Sequence, residues 1–277
     1  MSQDSPTADD LRALRDLKVR ADACGVSLVM IGAGARLLTF DQRLNIPSHR
    51  TTTDWDFGAR VSDWAAFHAL HAELVKHDFE GTARPHVVIH KATGVRVDLV
   101  PYGGVIEGDE LRWPSSDVTM NMAGFSEAFE HAVDVMLDPG LQVQVATPPV
   151  LAMLKCFSFM DRSGRTLDDF RDLVFMAERY LSAGQEGRMF EEPFASVITE
   201  ERFDWRYGGP LLLGYDMARV CQRKTASKLL PIMRTLSDVD HPRLGDFFRR
   251  VGDEAEVEQR RCHVRALFEW MERGLTI

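Results

Sequence analysis

The stretch TTTDWDFGAR, residues 51–60, places two acids one residue apart in a run otherwise suited to a β-strand. Acids are depleted in strands, where side chains must fit a pleated, half-buried surface. Residues i and i+2 of a strand share a face. Asp54 and Asp56 therefore project together, while Trp55 and Phe57 point the opposite way, into a core. Two carboxylates held that close repel each other, and a divalent cation removes the penalty. The stretch reads either as an exposed edge with solvated acids or as half of a metal site. Its neighbours in the sequence decide between the two.

Upstream, SLVMIGAGAR (27–36) reads as a short buried strand that runs into a glycine turn opening a helix. Backbone amides at a helix N-terminus bind anions, and Gly32 and Gly34 let a phosphate come close to the chain. Downstream, HVVIH (86–90), the turn KATG and VRVDLVPY (95–102) read as a β-hairpin. In its second strand Val95, Val97 and Leu99 share one face, Arg96 and Asp98 the other. A third acid is thus aimed off a strand. Three hard oxygen ligands with open coordination positions suit Mg²⁺ or Mn²⁺. A triphosphate would lie between such ions and the glycine-turn amides.

Composition bounds the answer. A chain of 277 residues makes one large domain or two ordinary ones. No apolar run reaches the roughly 18 residues of a membrane span. The polar start MSQDSPTADD lacks the basic-then-apolar pattern of a signal peptide, so a cytoplasmic location is expected. The net charge of −9 counts against broad nucleic-acid binding. That charge is uneven: residues 201–277 carry 14 Lys and Arg against 12 Asp and Glu, a slight basic tilt. Cys24, Cys156, Cys221 and Cys262 are scattered, with no CxxC pair for a zinc knuckle or redox motif. The pairs His68/His71 and His86/His90 have no acid or cysteine at zinc spacing. No Gly-x-Ser-x-Gly elbow is present, which disfavours a covalent hydrolase.

Thr7–Cys24 has helical leucine spacing behind a Thr7 N-cap, and Ser62 is expected to cap another helix. The turn, strand and double proline of DPGLQVQVATPP (138–149) mark a domain boundary, expected to divide residues 1–147 from residues 148–277. Beyond it, 149–162 and 166–181 read as helices, the second capped by Thr166, and 182–193 as a loop. The remainder reads as several short helices.

IGAGAR, then TDWDF, then VDLV resembles the glycine-helix and Asp-x-Asp…Asp pattern of the nucleotidyltransferase (DNA polymerase β-like) superfamily. LAMLKCFSFMDRSGRTLDDFRDL (151–173) resembles the Lys…Arg…Asp-x-x-Asp-Leu segment of the AbiEii/AbiGii toxin family within it. The resemblance covers roughly residues 25–180. It implies an α+β fold, a nucleotidyltransferase core of mixed sheet and flanking helices followed by a mainly helical C-terminal domain. It implies metal-dependent transfer of a nucleoside monophosphate from an NTP such as ATP to an acceptor hydroxyl, with release of pyrophosphate. In that family the toxin belongs to a bacterial toxin–antitoxin pair and some members modify tRNA 3′ ends, so a tRNA acceptor and a cognate antitoxin are implied partners.

Carried over residue by residue, Asp54, Asp56 and Asp98 would be the catalytic metal ligands. The amides of Gly32, Ala33 and Gly34 would hold the triphosphate. Lys155, Arg162 and Arg165 would contact phosphate, with Arg36 and Thr53 as further nucleotide contacts. Asp172, three residues after Asp169 on one helix face, would orient Lys155 or a base. Ala33 departs from the family's glycine signature, which usually has Gly or Ser there: the amide is kept and a hydroxyl is lost. Two other readings stand beside this one: transfer to a small molecule or protein side chain, and a catalytically degenerate nucleotide-binding module.

Overall fold

The computed structural model describes residues 5–44, 54–114, 118–161, 167–248 and 253–277. The elements of the first part are α1 (Ala8–Ala23), β1 (Ser27–Ile31), α2 (Gly32–Thr39), β2 (Asp54–Val61), α3 (Trp64–Lys76), β3 (Phe79–Gly81), β4 (Val87–His90), β5 (Arg96–Gly103), β6 (Ile106–Glu107), β7 (Glu110–Arg112), β8 (Thr119–Asn121), α4 (Phe125–Glu130), β9 (Val133–Asp138) and β10 (Leu141–Val145). The second part is helical: α5 (Pro148–Asp161), α6 (Asp168–Arg179), α7 (Phe194–Val197), α8 (Gly208–Val220), α9 (Arg223–Ser237), α10 (Gly245–Phe248) and α11 (Glu254–Thr276). The chain separates into two compact units, Met1–Leu151 and Ala152–Ile277. The architecture is α+β, as the sequence implied.

The first unit is built on a mixed seven-stranded sheet in the order β3-β4-β5-β2-β1-β10-β9. β2 runs parallel to β5 and antiparallel to β1, so it lies between the strand that ends in the glycine turn and the strand that carries Asp98. Its burial alternates along Trp55, Phe57 and Ala59, which are at most 3% exposed. Burying a Trp or Phe of this kind stabilises by about 1.5–3 kcal/mol, which fixes the register and therefore the direction of the acids between them.

α1 packs behind this strand. Its N-terminus is a capping box: Thr7 Oγ1 accepts from the Asp10 amide, and Asp10 Oδ2 accepts from the Thr7 amide at 2.9 Å. The other oxygen of Asp10 accepts from Trp55 Nε1 at 2.8 Å, tying the helix start to the strand of acids. On the opposite face α4 closes over the sheet. A Cβ placed on Gly58 would lie 3.2 Å from the Phe129 ring, and Tyr102 stacks on Phe129 with centroids 5.4 Å apart.

The helical unit has its own core, in which Phe170 meets Phe159 and Phe268 at centroid distances of 5.6 and 5.5 Å. α8 and α11 touch backbone to backbone. A Cβ on Gly214 would stand 2.1 Å from the Met271 carbonyl oxygen, and one on Gly274 2.1 Å from that of Leu211.

Three local expectations are corrected. Asp63, not Ser62, caps α3, its Oδ1 accepting from the Ala66 amide at 2.8 Å; both residue types cap well and the fold selects the nearer one. The C-terminal end is not a set of short helices throughout, because α11 spans 23 residues behind an Asp253 capping box. Residues 186–190, read as part of a loop, form a 3-10 turn. The sequence reading also lacks strand β9, an edge strand that buries little although Val133, Val135 and Leu137 alternate with Asp134, Met136 and Asp138. Thr166, expected as a cap, lies outside the described residues.

Candidate metal and nucleotide site

The register of three adjacent strands assembles the site. Asp56 pairs with Asp98 across β2 and β5, and with Ile31 across β2 and β1. Partners in register share a face, so the two acids stand side by side and the glycine turn begins directly beside them. Carboxylate oxygens of Asp54, Asp56 and Asp98 all lie within 4.8 Å of one another, and all three residues are partly exposed.

This donor set fits a hard divalent cation. Octahedral Mg²⁺ with bonds of about 2.1 Å holds opposite oxygens about 4.2 Å apart. Adjacent oxygens around such an ion stand about 3 Å apart, so the three carboxylates, already within 4.8 Å of one another, would draw in around it. Among the described residues no thiolate or imidazole belongs to the cluster, which disfavours the softer metals.

Gly32 adds a second constraint. Its φ of +70° is the left-handed conformation that glycine alone adopts cheaply, and a Cβ there would fall 2.2 Å from Asp56 Oδ2. The backbone at the start of α2 is therefore pressed against the acid. α2 has no side-chain cap at its N-terminus, so the amides of Gly32, Ala33 and Gly34 occupy the first-turn positions that no intrahelical carbonyl satisfies. Gly34 has a further role: a Cβ there would be 2.6 Å from the Trp55 ring, so its absence lets the helix sit on the tryptophan behind the acids.

Sequence reasoning missed the part played by Arg96. Its Nε and terminal nitrogen donate to the two oxygens of Asp98, each at 2.7 Å. Arg96 also lies in register with Asp54. The bond to Asp98 raises the guanidinium pKa above its ordinary value, against partial burial, and the charges of Asp98, Asp54 and Asp56 add to the rise. A bidentate arginine is thus built into the triad and offsets part of its mutual repulsion. The signal was present in the sequence as the i, i+2 spacing of Arg96 and Asp98. On the neighbouring chain segment, burial pushes His86 below its ordinary value even though the Asp98 charge opposes this.

The remaining expected residues fall elsewhere. Arg36 is 1% exposed on α2, its guanidinium 3.2 Å from the buried Asp41 carboxylate, so it is an interior ion pair rather than a group offered to solvent. In the helical unit, Lys155 Nζ donates to Asp172 at 2.5 Å and stands 3.3 Å from Asp169. Ser158 holds the other oxygen of Asp169 at 2.8 Å. Lys155 and Asp172 are both nearly buried, and the two helices that carry them are locked by this pair. Thr53, Arg162 and Arg165 lie outside the described residues. His90 is a satisfied core histidine, 3.0 Å from Asp16 and 2.8 Å from Thr93. Among the described residues no helix is long and apolar enough to cross a membrane.

No family model and no curated protein matches the chain. Solved structures do. One is an antigenic nucleotidyltransferase-like protein from Paracoccidioides brasiliensis, 18% identical, with a TM-score of 0.40 over 69% of this chain and 92% of that one. Another is the CdnE cyclic dinucleotide synthase of Elizabethkingia meningoseptica, solved with GTP and Apcpp. It is 10% identical, with a TM-score of 0.27 over 96% of this chain and 94% of that one. Likenesses at this level leave the functional reading to the residues themselves.

Proposed function

We propose that the protein is a metal-dependent nucleotidyltransferase, moving a nucleoside monophosphate from an NTP to an acceptor hydroxyl. The observation that carries this reading is the convergence of Asp54, Asp56 and Asp98 beside an uncapped glycine turn. When bound, Mg²⁺ or Mn²⁺ would supply charge neutralisation for the phosphates and a lowered pKa for the attacking hydroxyl. Asp54 and Asp56, on one strand, would hold the cation on the nucleotide side. Asp98, on the neighbouring strand, would share it on the acceptor side and receive the hydroxyl proton.

The turn amides of Gly32, Ala33 and Gly34 would hold the triphosphate, with the Ala33 amide acting without a neighbouring hydroxyl. The acceptor oxygen bonds to the α-phosphorus, the bond to the β-phosphate oxygen breaks, and pyrophosphate leaves. Arg96 would keep the Asp98 carboxylate plane fixed between turnovers.

Within this reading the tRNA 3′ end, implied by the AbiEii/AbiGii resemblance together with a toxin role and an antitoxin partner, is the first acceptor to test. Small-molecule and protein hydroxyls follow. The test is incubation with each α-labelled NTP, Mg²⁺ and cellular RNA or protein. Label should enter one acceptor class and be lost with Asp56→Asn. Absence of incorporation from every NTP into every acceptor overturns the proposal; binding of ATP without turnover would point to the nucleotide-binding module instead.

A further inference from the structure

The helical unit carries an aromatic surface that the proposed chemistry does not use. Phe190 is 66% exposed and Trp205 is 50% exposed. Their ring centroids are 5.7 Å apart. Trp205 meets Phe203 edge-on at 5.5 Å, and Phe203 meets Trp270 edge-on at 5.6 Å. Four aromatic rings thus run as one connected strip. It continues into a shallow groove of about 480 Å³ lined by Arg202, Glu269, Trp270, Glu272, Arg273 and Thr276. Large exposed apolar patches on a folded chain mark interaction sites, and Trp, Phe and Arg are the residues enriched where proteins meet proteins.

The charges around the strip select the occupant. Arg273 donates to both oxygens of Glu200, and Arg202 joins the same carboxylate at 3.2 Å. Arg206 is held by Asp204 at 2.6 Å. The guanidinium groups of Arg273 and Arg202 also lie over the Trp270 ring, at 5.0 and 5.8 Å. The arginines are therefore committed to carboxylates and rings and are poorly placed to bind phosphate. Residues 186–206 hold six acids against three arginines. Glu201 and Glu269 are exposed and form no ion pair among the described residues. An apolar strip with an acidic rim repels nucleic acid and attracts cationic chains.

We propose that the surface formed by Phe190, Phe203, Trp205 and Trp270 docks a polypeptide segment that presents large apolar side chains flanked by Lys or Arg. The rings would bury the apolar anchors, and Glu201 and Glu269 would meet the flanking cations. This assignment is independent of the nucleotidyltransferase reading.

The experiment is fluorescence anisotropy of the full chain with three labelled probes: an amphipathic Leu/Lys peptide, a Leu/Glu peptide of equal length, and a single-stranded oligonucleotide. The Leu/Lys peptide should bind, and its affinity should fall at least about tenfold in Phe190→Ser/Trp205→Ala. The two mutated side chains are solvent-facing, and circular dichroism checks that the fold is kept. Glu201→Gln/Glu269→Gln, which leaves the rings intact, should weaken binding and flatten its salt dependence. Leu/Lys binding that is absent, or equal in wild type and both variants, overturns the proposal. Oligonucleotide binding lost on the ring substitutions overturns it in favour of a nucleic-acid platform.

Discussion

Arg96 stands two residues before Asp98 on the same face of β5 and donates to both of its carboxylate oxygens at 2.7 Å. The arginine places a positive charge directly on one of three converging acids, so its removal is felt most when no cation is bound. In chelator, Arg96→Gln is expected to lower stability by about 1 kcal/mol, the scale of a partly exposed pair. That corresponds to a drop of about 2–4 °C in melting temperature. With Mg²⁺ present the deficit should shrink. Thermal melts with EDTA and with Mg²⁺ make the check; an equal deficit in both would show that Arg96 does not compensate the triad.

Gly32→Ala strikes the site from the backbone side. The residue has a φ of +70°, and its new methyl would fall 2.2 Å from Asp56 Oδ2. A left-handed alanine costs about 1–3 kcal/mol, and the carboxylate must move to make room. A displacement near an ångström at reacting groups lowers rate by about a hundredfold. Activity should fall by that order while urea unfolding reports a loss of only about 1–3 kcal/mol. A variant as active as wild type would place the glycine turn outside the chemistry.

The Lys155–Asp172 pair is buried, with nitrogen and oxygen 2.5 Å apart. Removing Asp172 leaves the buried lysine only the longer contact to Asp169, at a cost of up to about 3 kcal/mol, whereas apolar replacement of both partners removes the interior ammonium and leaves Asp169 to Ser158. Asp172→Ala is therefore expected to be less stable than the double variant Lys155→Met/Asp172→Leu in urea unfolding. The opposite order would mean that Asp169, 3.3 Å from Lys155, holds the lysine alone.

Hydrogen bonds from Arg273 hold the Glu200 carboxyl down at about 2, below an ordinary value of 4.5. A carboxyl with a depressed folded-state pKa contributes stability above its unfolded pKa and loses it as pH falls through the folded value. The stability difference between wild type and Arg273→Gln should be constant near neutrality and fade between pH 4.5 and about 2. Denaturant unfolding across that range makes the measurement, and a difference independent of pH would rule out the ion pair as its source.

The triad was legible because β periodicity is strict. Asp54, Trp55, Asp56 and Phe57 alternate, and so do Arg96, Val97, Asp98 and Leu99, so the facing of each acid follows from sequence alone. Strand order was not legible in this way: nothing local says that β2 lies between β1 and β5. Arg96 was visible at i−2 from Asp98, but a same-strand pair is ordinarily weak and only its position beside two more acids gives it weight. Arg36 reads as a nucleotide contact from its place on the helix after the glycine turn. Its burial depends on Asp41 one turn further on, a tertiary outcome. The aromatic strip is assembled from residues 190, 203, 205 and 270, whose separation in sequence hides it entirely.

The claim on which the functional reading stands is that the three carboxylates hold a divalent cation. Mn²⁺ titration followed by electron paramagnetic resonance tests it without a nucleotide or an acceptor. Wild type is expected to remove Mn²⁺ from the free-ion signal. Asp56→Asn, which keeps the shape of the side chain, should weaken that binding at least about tenfold. Equal Mn²⁺ binding by the two proteins, or none by wild type, would contradict it.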